Sequence, residues 1–219
     1  MNDLENFFWN DSDRFIQKWT HYFKYYDRYF NKFRNKNVKI LEIGVCKGGS
    51  LQMWKNYFGR DSFTVGMDID YTCLNYVEDK VEVFIGDQGN VNDLSSLVKK
   101  YGKFDIIIDD GSHLTSHQIS TFEYLYDYVN DGGIYLVEDT HTSYWSDYIN
   151  SDITFVEYAK KMVDDLTMYH VNDGKSVTKY TESLSGIYFH DSMIFFEKSD
   201  KFVTKPSHIF SQYMRYSKK

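Results

Sequence analysis

From residue 38 to residue 137 two hydrophobic patterns take turns along the chain. Short runs rich in β-branched and aromatic residues, bounded by Gly and Asp, fall at 38–45, 63–69, 81–85, 104–108 and 134–137. Runs that are apolar at successive positions predict strands of a parallel sheet covered on both faces. Between them apolar residues recur at helical spacing: Leu51, Trp54 and Phe58, then Leu94, Leu97, Val98 and Tyr101, then Ile119, Phe122, Leu125, Tyr126 and Val129. Five strands separated by helices predict a doubly wound α/β sheet. Phe155, Ala159, Met162 and Leu166 predict one more helix, and 186–197 predicts two antiparallel strands joined by a tight His-Asp-Ser turn. Residues 1–37 follow a different pattern, polar and aromatic, with Trp19, Tyr22, Phe23, Tyr26, Phe30 and Phe33 on one helical stripe. That stripe predicts a helix packed on the main domain; a substrate wall or a dimer surface, hence a homo-oligomer, is its alternative use. The chain thus divides into an N-terminal helical segment (1–37), one α/β domain (38–198) and a polar C-terminal tail (199–219), with no internal repeat or interdomain linker.

Two of the apolar runs stop abruptly in acid. Phe104-Asp-Ile-Ile-Ile-Asp-Asp-Gly-Ser-His113 ends at Asp110, and Gly133-Ile-Tyr-Leu-Val-Glu-Asp-Thr-His141 ends at Glu138 and Asp139. If the two strands are parallel neighbours, all three carboxylates converge on the carboxyl edge of the sheet, where open α/β sheets bind ligands. Hard oxygen donors gathered in one place repel one another unless a cation lies between them, so the expectation is a divalent metal site. The competing reading is that these acids cap strands and face solvent.

Composition narrows the class. A chain of 219 residues fits one domain with a substantial core. The formal charge of −7 argues against a nucleic-acid partner. Cys46 and Cys73, the only cysteines, suit a reducing compartment and exclude a disulfide framework. The start of the chain lacks a signal-peptide pattern and no run reaches the roughly 20 apolar residues needed to cross a bilayer, so the expected location is cytoplasmic, with no membrane partner. Twenty Tyr and 17 Phe predict a ring-rich core, and rings also make good walls for sugars.

The first strand ends in Leu41-Glu-Ile-Gly-Val-Cys-Lys-Gly-Gly-Ser50 and then opens a helix. Glycine lets backbone approach a ligand closely, and a helix N-terminus favours anionic groups. Glu42, Gly44, Gly48 and Ser50 are therefore candidate cofactor residues. Cys46 stands where a dinucleotide fingerprint has its middle glycine, which counts against a pyrophosphate; with no partner beside it in sequence to activate its thiol, it reads as packing. Asp68 ends the second strand, placed to accept from ribose hydroxyls, and Asp87 follows the third, placed to accept from an adenine amino group.

Together these residues resemble a class I S-adenosylmethionine-dependent methyltransferase, whose sheet has seven strands with an antiparallel end. Asp109-Asp-Gly-Ser-His113 and Val137-Glu-Asp-Thr-His-Thr-Ser-Tyr-Trp145 sharpen the resemblance to the metal-dependent macrocin- and mycinamicin-type sugar O-methyltransferases. The resemblance covers about residues 15–198. It implies S-adenosylmethionine and Mg²⁺ as cofactors, Asp110, Glu138 and Asp139 as metal ligands, His113 as the base, and a sugar or glycoside hydroxyl as acceptor. The alternatives are a methyltransferase for a catechol, phenol or amine, and a non-catalytic ligand-binding protein of the same fold. His141 and His117 are secondary candidates beside the site, and Tyr144 and Trp145 are expected to sit in the core rather than form a lid.

Overall fold

The computed structural model describes residues 1–168 and 177–199. Its seven-stranded sheet has the order β3-β2-β1-β4-β5-β7-β6. The strands are β1 (Lys39–Ile43), β2 (Phe63–Asp68), β3 (Val81–Ile85), β4 (Phe104–Asp109), β5 (Val129–Val137), β6 (Leu184–His190) and β7 (Met193–Lys198). The first five pair in parallel, and β7 closes the sheet antiparallel to both β5 and β6. The predicted strands and the terminal hairpin all form. Its tight turn is at Asp191–Ser192, with Ser192 in a left-handed conformation.

The helices are α1 (Asp3–Asn6), α2 (Phe23–Phe30), α3 (Gly49–Phe58), α4 (Val91–Tyr101), α5 (Thr115–Leu125), α6 (Phe155–Lys161) and α7 (Lys179–Ser183). Because side chains alternate across a strand, each central strand feeds two cores. Ile106, Ile108, Ile134 and Leu136 pack with Phe23, Tyr26, Phe30, Trp54 and Phe58 on the α2–α3 face. Ile107, Tyr135 and Val137 pack with Leu94, Leu97, Phe122 and Phe155 on the α4–α6 face. The ring-rich core is real: Trp54 meets Tyr26 edge-on with centroids 5.1 Å apart, and Tyr29 stacks on Phe195 at 4.2 Å.

The N-terminal segment departs from its sequence reading. Tyr22, Phe23, Tyr26 and Phe30 of the stripe are buried, but the helix that carries them begins only at the 3₁₀ turn Thr20–Tyr22. Trp19 lies outside it and is 52 % exposed. Ahead of that turn, residues 12–19 form a non-helical strap across the carboxyl edge of the sheet. The tail expected at 199–219 falls, apart from Ser199, outside the described residues.

Candidate active site

Strand parity decides which acids meet. Glu42 pairs across β1–β4 with Ile108, and Ile108 pairs with Leu136. Asp110 and Glu138 lie two residues beyond Ile108 and Leu136, so all three carboxylates leave the sheet on the α2–α3 face. The backbone continues the ladder there: the Asp110 amide donates to the Ile43 carbonyl at 3.0 Å and the Glu138 amide to the Asp109 carbonyl at 2.9 Å. Asp109, of opposite parity, turns to the other face, where one oxygen accepts from Gln88 Nε2 at 3.0 Å and the other is buried without a well-formed hydrogen bond, the Gly111 amide also lying near the carboxylate. Burial pushes the Asp109 carboxyl up to about 7, with the Gln88 bond opposing.

Into the three carboxylates comes Lys18 of the strap, its side chain 2 % exposed. Its Nζ donates to Asp110 Oδ2 at 2.6 Å and to Glu138 Oε2 at 2.9 Å, and lies 3.5 Å from Glu42 Oε1. Burial alone would lower the Lys18 ammonium, but Asp110, Glu138 and Glu42 outweigh it and hold it well above its ordinary range. One ammonium cannot balance three acids. Burial drives Glu42 and Glu138 upward, against the attraction of Lys18. The remaining oxygens of these two acids are met by hydroxyls: Tyr26 donates to Glu138 Oε1 at 2.7 Å and Ser50 to Glu42 Oε2 at 2.6 Å. Tyr22 donates to Asp139 Oδ1 at 2.5 Å.

On the outer side of this cluster, one ligand atom each from Asp110, His113 and Asp139 lies within 4.8 Å of the other two. His113 Nε2 is 4.0 Å from Asp110 Oδ1 and 3.7 Å from Asp139 Oδ2. A carboxylate pair with an imidazole at this spacing could hold a divalent cation or pass a proton. His113 and Asp139 both have left-handed backbones, with φ of 58° and 50°. Such conformations cost of order 1–3 kcal/mol when held by their surroundings. Thr142 does the holding: its hydroxyl lies 2.7 Å from the Asp139 carbonyl and 3.3 Å from that of His113.

Three adjoining cavities run along the carboxyl edge. One of about 290 Å³ is lined by Met67, Asp68, Asp87, Gln88 and His117. The next, about 270 Å³, is lined by Gly44, Ser50, Asp68, Asp110, His113 and Asp139, with the strap residues Phe15–Lys18 as its roof. The third, about 220 Å³, lies beyond Gln17 and Lys18 and is lined by Trp19, Tyr22, Asp110, Glu138 and Asp139. Of the expected cofactor residues, Gly44, Ser50, Asp68 and Asp87 thus line the first two cavities. Glu42 and Gly48 do not. Glu42 is fully buried behind Ser50. Gly48, at φ 71°, is the left-handed N-cap of α3, where a Cβ would strike the Tyr76 ring. Gly44, at φ 93°, is required by close approach, since a Cβ there would run into the Asp110 carbonyl. Asp68 is already tied to backbone: Oδ2 accepts from the Val45 and Cys46 amides at 2.8 and 3.1 Å, and Oδ1 from Asp70 at 2.9 Å.

The sequence and the fold match a known group of enzymes. The chain is 36 % identical over 199 residues to demethylmacrocin O-methyltransferase of Streptomyces fradiae, covering 83 % of this chain and 50 % of the relative. It is 32 % identical over 190 residues to mycinamicin VI 2''-O-methyltransferase of Micromonospora griseorubida, covering 80 % and 47 %. Among solved structures, MycE methyltransferase of the mycinamycin pathway, in complex with Mg, SAH and mycinamycin VI, superposes with a TM-score of 0.75 at 29 % identity, covering 88 % of this chain and 54 % of that one. By sequence and fold, the chain is related to the macrocin- and mycinamicin-type sugar O-methyltransferases. It spans about half the length of the curated relatives it matches. No family model matches it.

Relative to the expectations for this methyltransferase fold, the structure adds residues and moves others. Lys18, Tyr22 and Tyr26 were not singled out as site residues, although the last two lie on the aromatic stripe. Tyr144 and Trp145, expected in the core, are 65 % and 51 % exposed. Trp19, His141 and Trp145 meet in series edge-to-face, at 5.8 and 5.0 Å, forming a rim beside the acids. His117 reaches the cavity wall and hydrogen-bonds Ser112 at 3.0 Å. Cys46, expected to pack, is exposed in a left-handed conformation that a glycine would adopt more readily. Among the described residues, no helix is long and apolar enough to cross a membrane.

Proposed function

We propose that the chain transfers a methyl group from S-adenosylmethionine to a sugar or glycoside hydroxyl, with Mg²⁺ held beside the acceptor. The observation that carries this reading is the Asp110–His113–Asp139 cluster, set where the second and third cavities meet. Asp87 and His117 would receive the adenine, Asp68 the ribose, and Gly44 and Ser50 the methionine end. Asp110, Glu138 and Asp139 would hold the metal. Bound there, Mg²⁺ would supply the positive charge that lowers the pKa of an acceptor hydroxyl. His113 Nε2 takes the hydroxyl proton. The acceptor oxygen attacks the sulfonium methyl in line, the C–S bond breaks, and sulfur keeps its electron pair as a neutral thioether. Charge is cancelled along this path, which a strap-roofed, ring-walled cleft favours over open water. The exposed rim of Trp19, His141 and Trp145 suits the C–H face of a sugar.

Incubating the purified protein with S-adenosylmethionine, Mg²⁺ and a panel of sugar nucleotides and glycosides should give a singly methylated product by mass spectrometry, lost with chelator. His113→Ala should still bind SAH and Mg²⁺ yet lose about 10²–10⁴ in turnover. Full turnover in chelator would remove the metal from this reading. Near-normal turnover of His113→Ala would remove the base.

A further inference from the structure

The cluster contains a cation of its own. Lys18 uses one oxygen of Asp110 and one of Glu138, while Tyr26 takes the second oxygen of Glu138. With these bonds in place each Glu138 oxygen already accepts from a buried donor, so a metal on Glu138 would lie against the Lys18 ammonium, and the geometric donor set is Asp110, His113 and Asp139 without it. One acceptor next to the ammonium is only weakly engaged: Glu42 Oε1 is buried, lies 3.5 Å from Nζ and accepts no well-formed hydrogen bond, the Trp54 indole N–H being the other donor near that carboxylate. Glu42 itself is fixed by Ser50, beside the second cavity.

We propose that the Lys18 ammonium and a divalent cation are alternative occupants of the Asp110–Glu138 carboxylate pair, and that the ammonium moves over to Glu42 when the metal binds. The inference rests on the metal reading above. Two cations cannot share the same carboxylate oxygens at hydrogen-bond distance without strong repulsion, and an ammonium is exchanged more cheaply within the cluster than by sending it into solvent. The move is short, because Glu42 already borders it. It also pulls on the strap, since Lys18 lies between residues anchored at both ends. Arg14 is bonded to Glu78 Oε2 at 3.1 Å and to the Tyr76 carbonyl at 3.4 Å, and Tyr22 is bonded to Asp139. Metal occupancy is thereby transmitted to the roof of the second cavity. Lys18 is a positioning residue in this scheme: without metal it keeps the acids together, and with metal it sets where the strap lies.

The test titrates Mg²⁺ alone, and Mn²⁺ by electron paramagnetic resonance, into the wild-type protein and Lys18→Met. Removing the resident competitor should tighten Mg²⁺ binding by about tenfold or more. Equal or weaker binding in Lys18→Met, with metal still bound by the wild type, would overturn the exchange and leave the metal reading standing. No metal bound by either protein would overturn both. A second measurement needs no variant: hydrogen exchange across residues 15–20 of the wild type should change on adding Mg²⁺. An unchanged strap in protein that binds metal would also overturn the proposal, even if Lys18→Met failed to fold.

Discussion

At the β2–β3 end of the carboxyl edge, Asp68 and Asp87 are held by main-chain amides; at the β4–β5 end the acids are held by side chains from far away in the sequence. Asp68 accepts from the amides of Val45, Cys46 and Asp70, and Asp87 from Gly89. Asp110, Glu138 and Asp139 are held by Lys18, Tyr26 and Tyr22, separated from them by 92 to 120 residues. The first arrangement forms as soon as β1 and β2 pair and their following loops turn. The second exists only once α2 and the strap have docked. A preformed backbone cradle suits a ligand whose shape does not vary, whereas acids held by exchangeable side-chain contacts suit an occupant that must be taken up and released.

The largest effect that would sharpen this comparison is in the second region. Asp110→Asn removes a charge from both the ammonium and the proposed metal while keeping the shape of the side chain. Turnover should fall by about 10³ or more, as expected when the charge that stabilises the transition state is lost. SAH affinity, measured by calorimetry, should stay within about threefold. A comparable loss of SAH binding would mean the two regions are one site rather than neighbours.

Asp109 tests whether parity alone separates the adjacent acids. Its carboxyl is raised to about 7 by burial, so between about pH 4 and 7 the folded state binds a proton that the unfolded chain does not. Stability should therefore fall as pH rises through that window, the opposite of a paired surface acid. Asp109→Asn, which can still accept from Gln88, should be more stable than the wild type above pH 7, by at most about 4 kcal/mol. The gain should shrink toward pH 4. Urea melts in chelator from pH 5 to 8 would check it, and a wild-type stability flat over that range would show that Asp109 stays ionised in the fold.

The same division explains what the chain discloses before it is folded. Five parallel strands, the terminal hairpin and the acids at 110, 138 and 139 are legible because short continuous apolar runs mark the strands, and two of those runs stop abruptly in acid. Glu42 could have been placed with Asp110 and Glu138 by counting parity back from the core positions 40, 108 and 136. Lys18 could not. It lies in residues 12–19, which have neither helical nor strand period, and its partners are set by docking. Trp19 misled for a related reason: its spacing continues the helical stripe of Tyr22, Tyr26 and Phe30, but the chain is not yet helical there. Gly48 looked like a ligand contact because glycine allows close approach, and here what approaches is Tyr76.

The smallest effect comes from Asp68, because its carboxylate serves two purposes at once. It already accepts three backbone N–H bonds, two from the Val45–Cys46 turn and one from Asp70, and it is proposed to accept ribose hydroxyls as well. Asp68→Ala should weaken SAH binding by about 1–3 kcal/mol, the range for a lost charged hydrogen bond. Mg²⁺ affinity should not change, since no bond joins Asp68 to Lys18, Asp110 or Asp139. Asp68→Asn separates the two purposes: its single carbonyl oxygen can replace Oδ2 toward Val45 and Cys46, but its amide cannot accept from the Asp70 amide or a second hydroxyl. If the turn is what matters, Asn should recover most of the SAH affinity that Ala loses. If the ribose contact dominates, Asn should bind about as weakly as Ala while melting like the wild type. A fall in Mg²⁺ affinity in either variant would break the comparison, because it would join the backbone-held end of the site to the side-chain-held end.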